Sequence, residues 1–215
     1  STRTLAVAVP TFTTPFHNEL MKGIRSRLRE EASLDVDLLL CDLAWAAPEA
    51  TLMKFLNRGT IDGLLLAGLT VDETIGEELK RLGAPVVLIG SRWDEFDAFY
   101  WDESAGVHLA IEHLVDRGHT KIGMVAPSLE SPVRNARIRG YKEALANAGL
   151  EAREEWIAVG RTEKHAGFSE ESGYEAMQDL LRARPRPTAV LASSDVQAIG
   201  AWQAIRQAGL RVPED

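Results

Sequence analysis

A doubly wound α/β fold is predicted for this chain by three features of its sequence. Short Val/Leu/Ile-rich runs recur along it, apolar residues at helical spacing fill the intervals between them, and glycines close several of those intervals. Continuously apolar runs suit strands covered on both faces. Their alternation with helices implies right-handed crossovers feeding a mostly parallel sheet.

The elements follow in order. Leu5–Val9 is the first strand, and Pro10–Phe16 the loop beyond it. A helix over His17–Glu31 places Leu20, Met21, Ile24 and Leu28 on one face of a 3.6-residue repeat. Asp35–Cys41, Ile61–Ala67 and Pro85–Ile89 are further strands. The cycle is disturbed once, between Gly90 and Asp102, where a polar-aromatic turn leads through Ala98-Phe99-Tyr100-Trp101 into a helix at Ser104–Arg117. It restarts after Gly118-His119 with strands at Lys121–Ala126, Trp156–Val159 and Thr188–Ala192. Helices fall at Arg134–Ala148, Gly173–Leu181 and Val196–Ala208. Gly59, Gly83, Gly118, Gly149 and Gly209 read as helix stops, because glycine accepts the left-handed conformation without a Cβ clash. Ser169 and Asp195 read as N-caps. The restart places a boundary between subdomains 1–118 and 119–215.

For a chain of 215 residues, length divided by about 150 gives one to two domains, with enough core that no disulfide or metal staple is needed. Its 45% hydrophobic and 26% charged content excludes wholesale disorder. With 32 acidic against 24 basic residues the net charge is −8, and such a surface repels phosphate backbones unless its cations are segregated. The single cysteine, Cys41, ends an apolar run and reads as a buried core thiol. No apolar run approaches the roughly 18 residues of a membrane span, so no membrane partner is expected.

In open α/β sheets ligands bind beyond the carboxyl ends of the strands, which directs attention to those loops. The first, Pro10-Thr11-Phe12-Thr13-Thr14-Pro15-Phe16-His17, lacks the glycines that let a backbone approach a pyrophosphate. Walker A, G-x-S-x-G and H-E-x-x-H sequences are absent throughout. What the loop offers is hydroxyls and an aromatic ring, suited to a small polar ligand with an apolar face such as a sugar or nucleobase. A second reading fits the same residues: Pro15 starts a helix, Thr14 caps it, and Phe16 or His17 packs at its entry. His108 and His113 are five apart on a helix, hence on different faces, and no metal site is expected. Of Arg134, Arg137 and Arg139, only Arg137 is flanked by apolar residues near the loop end, as a cation aimed at ligand oxygens would be; a surface salt bridge is the alternative.

Taken in order and at their separations, a set of segments resembles the effector-binding region of the LacI/GalR family of bacterial transcription regulators. They include Pro15-Phe16, Ile61-Asp62-Gly63-Leu64-Leu65-Leu66, Pro85-Val86-Val87-Leu88-Ile89 and Asp102-Glu103-Ser104-Ala105-Gly106. The most distinctive are Gly118-His119-Thr120-Lys121-Ile122, Arg137-Ile138-Arg139-Gly140-Tyr141, Phe168-Ser169-Glu170-Glu171-Ser172-Gly173-Tyr174 and Gly209-Leu210-Arg211-Val212-Pro213-Glu214-Asp215.

The resemblance implies a periplasmic-binding-protein-like fold, two α/β subdomains closing on a small molecule in a cleft. Carried over by position, Phe16 and Phe168 would wall the ligand and Arg137 would bind its hydroxyls or carboxylate. Asp102, Ser131 and Asp195 would fall in ligand-lining segments. His17 and Ser194 depart from the family's usual aromatic and asparagine, which alters ligand choice. The family's helix-turn-helix would precede Ser1, and its C-terminal part would continue past Asp215. The implied partners are a sugar-like effector, operator DNA through that helix-turn-helix, and a second copy in a homodimer; no cofactor and no catalysis are implied, and the cytoplasm is the implied location. A periplasmic sugar-binding protein of a transporter shares the fold and is the alternative; a Rossmann-type enzyme stands third.

Overall fold

The computed structural model describes residues 3–31, 35–44, 46–57 and 61–215, so the helix stop expected at Gly59 lies outside the described residues. The chain divides into two compact units, Ser1–Trp101 and Asp102–Asp215.

In the first unit a parallel sheet runs in the order β2-β1-β3-β4-β5. Its strands are β1 (Thr4–Val9), β2 (Asp37–Asp42), β3 (Gly63–Ala67), β4 (Val86–Ile89) and β5 (Asp97–Phe99). The period-2 alternation of β1 decides its two faces. Ala6 and Ala8 pack with Leu52 of α2 (Pro48–Leu56) and with Ile75 and Leu79 of α3 (Glu73–Arg81). Val7 and Val9 pack on the other face with Leu20, Met21 and Ile24 of α1 (Pro15–Glu30), the stripe expected from their spacing. The Leu38–Leu40 run is not covered on both faces as expected: β2 is an edge strand, and Leu40 is 52% exposed. Only Asp97–Phe99 of the stretch after Gly90 forms a strand, β5, paired in parallel with β4 through Leu88 and Ala98.

The second unit has a three-stranded parallel sheet, order β7-β6-β8, from β6 (Ile122–Ala126), β7 (Ile157–Val159) and β8 (Ala189–Ala192). On one face α4 (Glu103–Asp116) and α5 (Pro132–Asn147) bury Val107, Ile111, Tyr141 and Leu145 against Ile122 and Met124. The Tyr141 hydroxyl, inside this core, donates to the Ile122 carbonyl at 2.7 Å. On the other face α6 (Glu170–Arg182) and α7 (Asp195–Gln207) pack Ala176, Met177, Leu180, Ala201 and Ala204 against Val125. These helices meet backbone to backbone. A Cβ on Gly173 would fall 2.0 Å from the Gln197 carbonyl oxygen, and one on Gly200 1.9 Å from that of Glu170.

Two expectations are corrected. The division falls at 101/102 and not at 118/119, because Val107 and Ile111 give α4 to the core of the second unit. The cap of α7 is Ser194, whose hydroxyl accepts from Gln197 N at 3.3 Å, and Asp195 is the first helical residue. Ser169 caps α6 as expected, and Gly83, Gly118, Gly149 and Gly209 all have positive φ at helix ends.

Among the described residues no helix is long and apolar enough to cross a membrane. Nor does any group of three or more His, Cys, Asp or Glu side chains among them fit a metal ion.

Candidate functional site

The residues singled out by sequence sit at the carboxyl edges of the two sheets. In the first unit the helix-entry reading of the loop after β1 matches the local geometry. Thr14 caps α1, its hydroxyl accepting from His17 N at 3.2 Å, and Pro15 opens the helix. His17 turns inward and is buried, its Nδ1 hydrogen-bonded with Thr14 Oγ1 at 2.6 Å. A Cβ on Gly68 would come within 3.3 Å of its Nε2, so the glycine leaves the ring its room. Burial holds the His17 pKa below the ordinary imidazole value, against the opposing charge of Asp42. Phe16 turns outward and is 49% exposed. Its ring meets His17 edge-on at 5.2 Å and Trp101 at 6.0 Å. Trp101 was not anticipated, although it ends the aromatic run Phe99-Tyr100-Trp101 that breaks the strand–helix rhythm.

In the second unit the topology collects the remaining residues. The loops after β6, β7 and β8 carry Ser131, Phe168 and Ser194, and each leads into a helix. Ser131 and Ser194 are both N-caps, of α5 and α7. Asp102 caps α4, accepting from Ser104 Oγ at 2.6 Å and Ser104 N at 2.8 Å. Those two bonds, the hydroxyl first, hold its carboxyl below the usual range. Asp195 lies exposed in the first turn of α7, where the helix dipole favours a carboxylate.

Arg137, one helical turn into α5, is the organising side chain. Its Nε and Nη2 donate to Oε2 of Glu103 at 2.9 and 2.7 Å, and its Nη1 donates to the Ser193 carbonyl at 2.6 Å. The guanidinium lies 5.9 Å from the ring centre of Phe168, within cation–π range. With the arginine 23% and the glutamate 16% exposed, this is a partly buried pair and not a solvated surface bridge. The other two arginines diverge as expected: Arg134 donates to the Ser128 carbonyl at 3.4 Å, and Arg139 pairs with Glu143.

Arg137, Phe168 and the Ser193-Ser194 turn are thus brought together, with Asp102 held next to Glu103 in sequence at the start of α4. Glu103 itself was missed. An acid in a first helical turn is already explained by the helix dipole, and nothing local links it to an arginine 34 positions away. Chemically the cluster presents hydrogen-bond donors, hydroxyls, carboxylates and an aromatic face.

Comparison with known proteins finds similarity along the whole chain. A family model described as a periplasmic binding protein-like domain matches residues 111–215. The chain is 32% identical over 218 residues to the ribose operon repressor of Haemophilus influenzae, covering all of this chain and 62% of that protein. It is 32% identical over 216 residues to the HTH-type transcriptional repressor CytR of Escherichia coli, covering 99% of this chain and 61% of that protein. The chain therefore spans about three fifths of the length of these relatives. Among solved structures, a LacI family transcriptional regulator from Enterococcus faecium with bound ribose superposes with a TM-score of 0.79 at 29% identity, over 99% of this chain and 74% of that one. The chain is thus similar along its whole length to these repressors and to a LacI family regulator, with a periplasmic binding protein-like domain matched over residues 111–215.

Proposed function

We propose that this chain is the ligand-sensing part of a LacI-type DNA-binding transcriptional repressor. In this reading it takes a small sugar- or nucleobase-like effector that controls operator binding. The observation that carries the reading is the guanidinium of Arg137 held against the Phe168 ring at the carboxyl edge of the second sheet. A stacking face beside fixed N–H donors is what a polyhydroxylated ring with an apolar face requires. Phe16 offers a second outward ring, and His17 behind it fixes the entry of α1. Ser131, Ser194, Asp195 and Asp102 supply hydroxyls and carboxylates beside the second-unit cluster. Repressors and a ribose-bound regulator among the relatives support the same choice over a transport receptor.

The mechanism is a population shift. An effector that binds one conformational state more tightly than the other moves the equilibrium between them by its differential affinity, and the DNA-binding part reads the state. Palindromic operators favour a homodimer, since protein and site then share a two-fold axis. The protein acts in the cytoplasm on operator DNA, and the effector is bound and released without chemical change.

The test is calorimetry on the complete gene product with D-ribose, D-glucose, adenosine, hypoxanthine and guanine. Binding by at least one, weakened tenfold or more in Phe168→Ala and in Arg137→Ala with both variants melting cooperatively, is the expected result. Unchanged affinity in both variants, or turnover of the bound ligand, overturns the reading.

A further inference from the structure

Charge at the carboxyl edge of the second sheet decides which ligands can enter it. Resting on the ligand-sensing reading, we propose that Glu103 is a specificity-determining residue. Paired with Arg137, it cancels the arginine's charge, so the site accepts an uncharged, hydroxyl-bearing ligand and rejects phosphate and carboxylate anions.

The geometry of the pair supplies the argument. A guanidinium has five N–H groups. Two of Arg137's point at one oxygen of Glu103 and a third at the Ser193 carbonyl. That leaves one N–H on Nη1 and one on Nη2. They act as directional donors on a group whose net charge is already compensated within 2.9 Å. Glu103 occupies the side-on Nε/Nη2 fork, and an anion approaching the N–H groups left on Nη1 and Nη2 would meet the glutamate's own charge at short range. A hydroxyl meets no such penalty, because it accepts from the remaining N–H and can donate to a neighbouring carboxylate.

The surrounding charges point the same way. Asp102 and Asp195 are exposed at the starts of α4 and α7, adding two carboxylates to that of Glu103. The other cation on this part of α5, Arg134, is drawn toward the Ser128 carbonyl in the loop after β6. The sum over these five side chains is three negative charges against two positive.

The decisive probe is inorganic phosphate, which needs no knowledge of the effector. Phosphate binding to the complete gene product would be followed by calorimetry for wild type, Glu103→Gln, Glu103→Asp and the double variant Glu103→Gln/Arg137→Gln. Wild type and Glu103→Asp should show no saturable binding at millimolar phosphate. Glu103→Gln should bind at least tenfold more tightly, and the double variant should lose that gain. A structural tie between α4 and α5 alone would change the melting temperature without creating this anion affinity. Wild type binding phosphate as tightly as Glu103→Gln, or Glu103→Gln gaining nothing, overturns the proposal. If Glu103→Gln fails to melt cooperatively, wild type and Arg137→Gln decide it: saturable phosphate binding by wild type that Arg137→Gln abolishes overturns it, and its absence supports it. A parallel arm with the neutral panel above separates the two claims. Phosphate discrimination as expected, with no neutral ligand bound, defeats the sensor reading and leaves the charge compensation standing.

Discussion

Gly140 lies directly against Ser104: a Cβ on the glycine would come within 2.8 Å of the serine Cβ and 3.0 Å of its Cα. The two positions are a close contact between α4 and α5, one residue after Glu103 and three after Arg137. Gly140→Ala has no flexible side-chain tip to push aside, so it must separate the helices. It is expected to cost about 1–3 kcal/mol, the usual range for an overpacked core, and to weaken effector binding by displacing the Glu103–Arg137 pair. Thermal melts and calorimetry on the same variant check both effects.

Tyr141 ties α5 to β6 through its hydroxyl. Burial, with the negative charge of Glu154 adding to it, raises its pKa from 10.0 to about 12. The folded state therefore holds the proton more tightly than the unfolded chain. The stability this confers is fully present below pH 10 and is lost as pH rises toward about 12. Tyr141→Phe should cost about 1–2 kcal/mol at neutral pH for the missing hydrogen bond. It should also remove this part of the alkaline decline, visible as a flatter melting profile against pH.

His17 works in the opposite sense. Its folded pKa lies below the ordinary 6.5, so its contribution is intact above that value and is lost as pH falls below it, when only the unfolded chain takes up the proton. His17→Gln should flatten the acid side of the stability profile. An unchanged acid limb in urea titrations would contradict the burial of the ring.

Gly173→Ala and Gly200→Ala each drive a methyl group into a carbonyl of the facing helix. Both should destabilise by about 3 kcal/mol or more, at the upper end of what overpacking costs. Both changes strain the same seam, so the double variant is expected to lose less than the sum of the two. Denaturant unfolding of the single and double variants measures this.

Much of this was legible because it is local. Thr14, Pro15 and Ser169 declare helix starts through chemistry confined to a few residues, and the stripe Leu20, Met21, Ile24 fixes the buried face of α1 from spacing alone. The cap of α7 shows where local chemistry becomes ambiguous. Ser193-Ser194-Asp195 holds three eligible caps, and only the register of the helix chooses Ser194. The Glu103–Arg137 pair and the glycines under Ser104, Gln197 and Glu170 were illegible for another reason. They depend on which segments the topology brings together, and a glycine inside a helix carries no mark of the backbone that will cross it.

The glycine seam between α6 and α7 also separates two kinds of evolutionary freedom. Phe168 and Ser194 stand at the mouths of loops whose following helices are locked together by atoms with no space to vary. Phe168 can change without disturbing the scaffold behind it, and Ser194 can change among residues that cap a helix, whereas the seam admits almost no alternative alphabet. A library aimed at new ligands should randomise Phe168 and Asp195 freely, hold Ser194 to the capping residues Ser, Thr, Asn and Asp, and leave Gly173 and Gly200 untouched. Survivors of such a selection should differ in what they sense while unfolding at nearly the same denaturant concentration.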